Sequence, residues 1–251
     1  MTSYLNHPIE TQISWPTQET IVEFGDHEIL VFPPDRQHDA SLHIDLQRSK
    51  ITDVVGMSIL SQLLSIAAWL DDTYAVLLDG WSGGRIPTRP LRDTNCYPSS
   101  IIEFWANNWP PVESFSARRS LAIYREALNM NRYYSPPYAV LGFFRIIEEQ
   151  FNKKDGLRFL EEQIDKRIGS NDISQLQLRL LELPENFSAA DIVRLLKIEG
   201  RHAVAHAKKD SDIDPDNIEQ VRKISVVSDI LRQLARSFMH QQLKLPEDSW
   251  I

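Results

Sequence analysis

The chain has 251 residues, of which 42% are hydrophobic and 25% are charged. This length and composition are typical of a globular protein with one large or two small domains. The formal net charge of −8 argues against indiscriminate binding of a phosphate backbone, because such binding needs a basic surface. The single cysteine, Cys96, excludes an intrachain disulfide and suits a reducing compartment, so we expect a cytoplasmic protein.

No segment is expected to act in a membrane. The longest apolar stretch, residues 57–70, is interrupted by polar side chains at Ser58, Ser61, Gln62 and Ser65. It is therefore expected to be too short and too polar to cross a bilayer. Residues 1–8 have neither a basic start nor an apolar core, so we expect no signal peptide.

The N-terminal region carries the periodicity of strands. Residues 21–24 and 28–32 are largely apolar segments on either side of Gly25, which predicts a β-hairpin. Residues 54–70 predict a helix, and residues 74–78 predict a further strand. Together these elements indicate a small α+β lobe.

Residues 41–46 alternate between apolar and polar side chains. The alternation predicts a half-buried strand on which His43 and Asp45 face solvent. A polar site that these two residues share with His38 and Asp39 is the less favoured interpretation.

Residues 80–99 are rich in glycine and proline, which predicts a loop or linker. The tryptophans around this segment are expected to pack against the lobe rather than to stack on bases: Trp81, Trp105 and Trp109. We therefore predict an α+β domain over residues 1–112 and a helical domain over residues 113–251.

From residue 113 onward, apolar residues recur at helical spacing. The stripes are Ala117, Leu121, Tyr124 and Leu128, then Leu141, Phe144, Ile147 and Phe151, then Leu157, Leu160, Ile164 and Ile168. Ser188 and Asp191 form a capping-box pattern at the start of a helix, and Asp214-Pro215 is predicted to begin the last helix. The predicted fold class is α+β, with a small β-rich N-terminal lobe followed by an all-α helical bundle.

The segment from Arg201 to His206 carries the strongest chemical signal. A guanidinium binds phosphate oxygens well and a histidine exchanges protons near neutral pH, so the pair can hold a phosphate and act as acid or base beside it. Residues 191–210 contain five basic and three acidic side chains, which leaves a local charge of +2. Such a site fits selective binding of RNA or a nucleotide, and it equally fits a solvated helix end.

Two other interpretations of the same residues stay open. In the first, His202 and His206 are metal ligands on one helix face, but the sequence offers no third ligand, so we expect no metal. In the second, Arg201 pairs with a nearby acid such as Glu148, Glu149 or Glu199, and the motif is purely structural.

The same segment resembles the signature of the HEPN superfamily, in which an arginine is followed after a short spacer by a histidine. The residue after that arginine is usually Asn, Asp or His, and here it is His202. Residues 120–128 and 138–148 look like the preceding helices of HEPN proteins named as methylamine-utilisation accessory proteins. The chain departs from the pattern at Ala207, where many relatives have glycine.

The resemblance implies an all-α HEPN-like bundle with metal-independent endoribonuclease activity and no cofactor. Arg201 and His206 are the expected catalytic pair, and cleavage by 2′-hydroxyl attack leaves a 2′,3′-cyclic phosphate. The residues expected to support this pair or to bind substrate are His202, Glu148, Lys208 and Lys209.

The resemblance also implies a homodimer that acts on RNA or a nucleotide, in a defence or toxin–antitoxin context. An inhibitory or activating protein partner fits that context. Because non-catalytic HEPN proteins exist, the alternative is a binding or accessory protein that dimerises and recognises a ligand or partner.

Overall fold

The computed structural model describes residues 3–93, 101–102, 105–133, 135–149, 153–198, 214 and 216–246. It comprises two compact units, Met1–Arg125 with Pro246–Ile251, and Glu126–Leu245. All described strands belong to the first unit, and the described regular elements of the second unit are helices. The α+β class is thereby confirmed, whereas the domain boundary between residues 112 and 113 stays a prediction.

The first unit is built on a curled sheet of short strands. Within the described residues the strands are β1 (Tyr4–Thr11), β2 (Trp15–Pro16), β3 (Thr20–Phe24), β4 (His27–Phe32), β5 (Ser41–Asp45), β6 (Ala75–Leu77), β7 (Trp81–Gly83), β8 (Ile101–Ile102) and β9 (Asn108–Trp109). The main sheet has the order β6-β1-β5-β4-β3-β9, and β2 and β8 form a separate parallel pair. Pairing in the main sheet is antiparallel, except that β9 runs parallel to β3.

The predicted hairpin is confirmed, with β3 and β4 joined at Gly25, whose φ of 60° is in the left-handed region. The strand prediction for residues 74–78 is confirmed by β6. Strand β1 was not predicted, because both of its faces are largely buried and its sequence shows no alternation. One side of β1 pairs with β5, and the other side is shared between β6 and β7.

Strand β7 corrects the loop prediction for residues 80–99, because residues 81–83 pair with residues 4–6. Its sequence carries too many glycines to indicate a strand, so only the partner strand β1 defines it.

The first unit also contains α1 (Leu46–Ser49), α2 (Asp53–Leu70) and the start of α3 (Phe115–Arg132). Gly56 lets α2 approach the sheet closely, since a Cβ at this position would lie 2.9 Å from Leu5 Cδ2 and 3.0 Å from Leu46 Cδ2. Helix α2 confirms the helix predicted over residues 54–70. It packs on β1, β5 and β6.

Helix α2 also revises the expectation about membranes. Its 18 residues, with a mean hydropathy of 1.5, are long and apolar enough to cross a bilayer by length and composition. Half of the helix is buried in the fold, and the core helix of a soluble protein passes the same test.

Three tryptophans form a buried cluster in the first unit. The Trp105 ring lies 4.8 Å from Trp15 and 5.2 Å from Trp109, measured between centroids. Trp105 and Trp109 are buried, whereas Trp81 is partly exposed. The packing role expected for Trp105 and Trp109 is confirmed.

The second unit contains the end of α3, then α4 (Pro136–Glu148), α5 (Lys153–Ser170), α6 (Gln175–Leu180), α7 (Ala189–Leu195) and α8 (Ile218–Leu243). Its core forms where α4 packs along α8 and α5 packs along α7. Phe143, Ile164 and Phe238 are fully buried, and the Phe159 ring lies edge-on to Phe238 at 5.7 Å. The predicted helical stripes are confirmed in part, since Phe144, Ile147, Leu160 and Ile164 are buried. Leu141, Leu157 and Ile168 are half-buried, and Phe151 lies outside the described residues.

Two helix starts differ from the sequence predictions. Asn217, not Asp214, caps α8, because the Asn217 side chain accepts hydrogen bonds from the Glu219 and Gln220 amides. Helix α6 begins at an unpredicted capping box, in which Ser174 and Gln177 bond reciprocally.

Candidate functional site

All predicted site residues except Glu148 lie outside the described residues: Arg201, His202, His206, Lys208 and Lys209. Cys96 also lies outside them. The assignment of Arg201 and His206 as a catalytic pair therefore stays a prediction, and the structure constrains only the elements that lead to it.

Helix α7 leads toward the motif, and its predicted capping box is confirmed. Asp191 Oδ2 accepts hydrogen bonds from Ser188 N at 2.9 Å and Ser188 Oγ at 2.7 Å. The Ser188 amide, and after it the hydroxyl, lowers the pKa of Asp191 because both bonds stabilise the carboxylate. After Leu195 the chain continues as a π-helix over residues 196–198.

Glu148, the predicted support for Arg201, is exposed on the last turn of α4. One turn away, Arg145 Nε donates to Glu149 Oε1 at 2.7 Å. Glu149 is therefore engaged by an arginine of the same helix. Pairing of Glu148 with Arg201 stays a prediction.

A buried polar network lies on the sheet of the first unit, where β1 and β5 pair. His43 Nδ1 is 2.8 Å from Asn6 Oδ1, and His43 Nε2 is 2.9 Å from Ser41 Oγ. Asn6 Oδ1 also accepts a hydrogen bond from the Thr88 amide at 3.0 Å, so it is the acceptor for His43 as well. His43 is thus a neutral imidazole with its proton on Nδ1.

The segment around Thr88 covers this network. The Arg89 guanidinium lies over the Phe32 ring at 5.6 Å from its centroid, and Arg89 Nη1 donates to Asp35 Oδ2 at 2.8 Å. Phe32 in turn meets His43 edge-on at 4.8 Å. Hydrogen bonds, with the Gln37 amide as the strongest, lower the pKa of Asp35.

The expectation that His43 and Asp45 face solvent is wrong. Both are buried, because α2 covers one face of β5 and the segment around Thr88 and Arg89 covers the other. Burial, the largest cause, lowers the pKa of His43 to about 4. Asp45 caps α1 by accepting hydrogen bonds from the amides of Gln47 and Arg48.

The four polar residues of this region do not converge on one site. His38 Nδ1 lies 3.1 Å from Asp35, whereas Asp39 Oδ2 accepts from the Asp93 amide at 2.9 Å. Both ring nitrogens of His43 are occupied within the fold, so His43 has a structural role. Within the described part of the chain, no group of three His, Cys, Asp or Glu side chains could hold a metal ion.

A cavity of about 220 Å³ lies in the first unit between α2 and the start of α3. Its lining comprises Phe24, Ser58, Ser61, Gln62, Ser65, Ile66, Val112, Arg118, Leu121 and Ala122. The cavity was not predicted from the sequence, although Ser58, Ser61, Gln62 and Ser65 interrupt the apolar stretch that forms α2. Their spacing of three, four and seven residues from Ser58 places them on one helix face, and that spacing is the signal that could have found the cavity.

Part of the chain is similar to a known protein family. The family model of methylamine utilization protein MauJ matches residues 120–240, which include α4 to α7, most of α8 and the segment from Arg201 to His206. The expected similarity to methylamine-utilisation proteins is therefore confirmed over this part of the chain. No curated protein and no solved structure shows significant similarity to the chain.

Proposed function

We propose that the protein is a metal-independent endoribonuclease of HEPN type. The observation that carries this proposal is the motif from Arg201 to His206, which lies inside the region similar to MauJ and follows a capped helix. The helical second unit supports a HEPN-like bundle around that motif. An acidic chain with a local basic segment favours selective RNA binding over general binding of nucleic acid.

In the proposed reaction, His206 accepts the proton of an RNA 2′-hydroxyl. The 2′-oxygen then forms a bond to the adjacent phosphorus, and the bond from phosphorus to the 5′-oxygen breaks. The leaving 5′-oxygen takes up a proton, and the 2′,3′-cyclic phosphate stays on the upstream fragment. Arg201 stabilises the negative charge that builds on the phosphate oxygens in the transition state.

Further side chains are proposed to complete the site. His202 orients Arg201 or contacts substrate, and Glu148 holds the guanidinium from the exposed end of α4. Lys208 and Lys209 add positive charge along the RNA path. We further propose that the active form is a cytoplasmic homodimer in a defence or toxin–antitoxin system, regulated by a protein partner.

The experiment is incubation of the purified chain with total cellular RNA in EDTA, followed by analysis of the product ends. Wild type is expected to leave 2′,3′-cyclic phosphates, and Arg201→Ala and His206→Ala are each expected to lower the rate at least about 100-fold. The matched control is Arg179→Ala, an exposed arginine on α6 outside the basic segment, which should cleave like wild type. Full activity of His206→Ala, or products with 3′-hydroxyl ends, would contradict the proposal.

A second candidate is a non-catalytic binding or accessory protein. The MauJ match favours it, because the name of that family refers to methylamine utilisation and not to RNA. The cavity in the first unit gives such a protein a place to bind a small ligand. Absence of RNA cleavage in every condition, including mixtures with the proteins encoded beside it, would favour this candidate.

A further inference from the structure

The cavity between α2 and α3 has one polar wall and a largely apolar remainder. Four polar residues of α2 form the polar wall, and Phe24, Ile66 and Leu121 contribute apolar surface. Its volume of about 220 Å³ lies below the range for drug-sized ligands. The cavity therefore suits a small organic molecule.

The charge of the lining favours an anion. Arg118 is the one charged residue among the ten that line the cavity. Its Nη1 donates to the backbone oxygens of Val112 at 3.0 Å and Glu113 at 3.2 Å. These acceptors are neutral carbonyls, and no ion pair joins Arg118 to another residue in the described part of the chain. The Nε and Nη2 donors are therefore left for a ligand.

The hydrogen bonds of the α2 wall determine which groups can donate to that ligand. Ser58 and Ser65 donate their hydroxyl protons to the carbonyls of residues four positions earlier, Val54 and Ser61, so they offer only lone pairs. Ser61 Oγ instead accepts from Arg125 Nη2 at 2.6 Å, which leaves its own proton for a ligand oxygen.

Gln62 adds an amide donor to this wall. It is half-buried, lines the cavity and makes no hydrogen bond to any described residue. The donors that face a ligand are therefore the Arg118 guanidinium, the Ser61 hydroxyl and the Gln62 amide. A carboxylate uses such donors well, because it accepts several hydrogen bonds and carries the complementary charge.

We propose that this cavity is a binding site for a small amphiphilic carboxylate. Arg118 holds the carboxylate, Ser61 and Gln62 complete its hydrogen bonds, and Phe24, Ile66 and Leu121 contact the apolar body. Inorganic phosphate fits less well, since it has no apolar part to cover that surface. The site is independent of the proposed RNA chemistry, because none of its residues belongs to the segment from Arg201 to His206.

Calorimetric titration of the full chain with hexanoate, hexylammonium, hexanol and inorganic phosphate tests this inference. Hexanoate should bind most tightly to the wild-type chain, hexanol at least about tenfold more weakly, and hexylammonium more weakly still. Because this ranking uses the unmodified chain, it does not depend on the folding of any variant. Phosphate binding as tight as that of hexanoate, or no detectable binding of hexanoate at millimolar concentration, would overturn the proposal.

Variants then locate the site. Arg118→Gln should weaken hexanoate binding about 10- to 100-fold, whereas Arg119→Gln, an exposed neighbour on α3, should leave it within about twofold. Ala122→Phe should fill the cavity from an exposed position and reduce the binding of hexanoate and hexanol alike. His206→Ala should bind hexanoate like wild type, even if RNA cleavage is lost. Equal hexanoate affinity in wild type, Arg118→Gln and Ala122→Phe would refute this location.

Discussion

Asn6 and His43 pair across strands β1 and β5, and the distance from His43 Nδ1 to Asn6 Oδ1 is 2.8 Å. Both residues are fully buried. The Asn6 amide also donates from Nδ2 to the carbonyl oxygens of Tyr4 and Trp81. The Asn6 side chain thus links β1, β5 and β7 to the segment around Thr88, which covers the polar face of the sheet.

Asn6→Ala is expected to destabilise the first unit by roughly 3 kcal/mol, because it leaves His43 and the Thr88 amide without their acceptor. Urea denaturation of the full chain, followed by tryptophan fluorescence, measures the change in the free energy of unfolding. Asn108→Ala, at an exposed asparagine of β9, is the control and should stay within about 0.5 kcal/mol of wild type. Equal stability of the two variants would show that the network contributes little.

The stability of the first unit should fall as the pH is lowered from about 6.5 to about 4. The pKa of His43 is lowered to about 4 in the folded chain, so the unfolded chain binds the proton first. His43 makes its full contribution to the free energy of unfolding above pH 6.5, and about 2–3 kcal/mol of that free energy is lost by pH 4. Asp35, whose pKa is lowered from 3.8, contributes a further loss only below that window.

Denaturation midpoints measured between pH 7 and pH 4 check this expectation. His43→Gln should be less stable at pH 7 and should lack that part of the pH dependence. Nitrogen-15 NMR of the imidazoles should show His43 protonated on Nδ1. If the midpoints of wild type and His43→Gln depended on pH in the same way, His43 would not be the cause of the loss of stability.

Gly80→Ala is expected to destabilise the chain by about 1–3 kcal/mol through overpacking. A Cβ at this position would lie 2.2 Å from the backbone oxygen of Asn6 and 2.6 Å from His7 Nδ1. The His7 ring cannot easily retreat, because His7 is buried and its Nδ1 lies 2.7 Å from the Leu78 carbonyl oxygen.

Gly169→Ala is the matched control for this substitution. No atom lies within 4 Å of a Cβ at Gly169, which is on helix α5. Alanine there should stabilise the chain by up to about 1 kcal/mol. Thermal unfolding of both variants beside wild type decides the prediction, and an unchanged unfolding temperature for Gly80→Ala would refute the close approach.

The proposed HEPN-type function implies two facing motifs, so on that proposal the chain is expected to sediment as a dimer of the 29.0 kDa subunit. Analytical ultracentrifugation measures this mass directly. Dimers assembled from one wild-type and one His206→Ala chain should cleave RNA more slowly than wild-type dimers. A fully active monomer would contradict the proposed assembly.

Local sequence patterns predicted several elements that depend on neighbours along the chain, but they missed the capping box of α6 and the cap of α8 at Asn217. The helical period of Ala117, Leu121 and Tyr124 predicted a buried helix face, and the pair Ser188 and Asp191 predicted a helix start. Gly25 predicted the hairpin turn for the same reason, since its left-handed φ is a local requirement. The Arg201 and His206 motif is likewise a local pattern, and it supplies the proposed chemistry.

The burial of His43, the pairing of β7 and the cavity depend on contacts between residues that are distant along the chain. His43 occupies the polar position of an alternating strand, yet it is buried because the segment around Thr88 covers that face. Strand β7 exists because β1 offers it a pairing edge, and the cavity exists because polar positions of α2 face α3 rather than solvent. A sequence period fixes which side chains share a face, whereas the partner that covers the face comes from a distant part of the chain, so burial and cavities follow only from the folded structure.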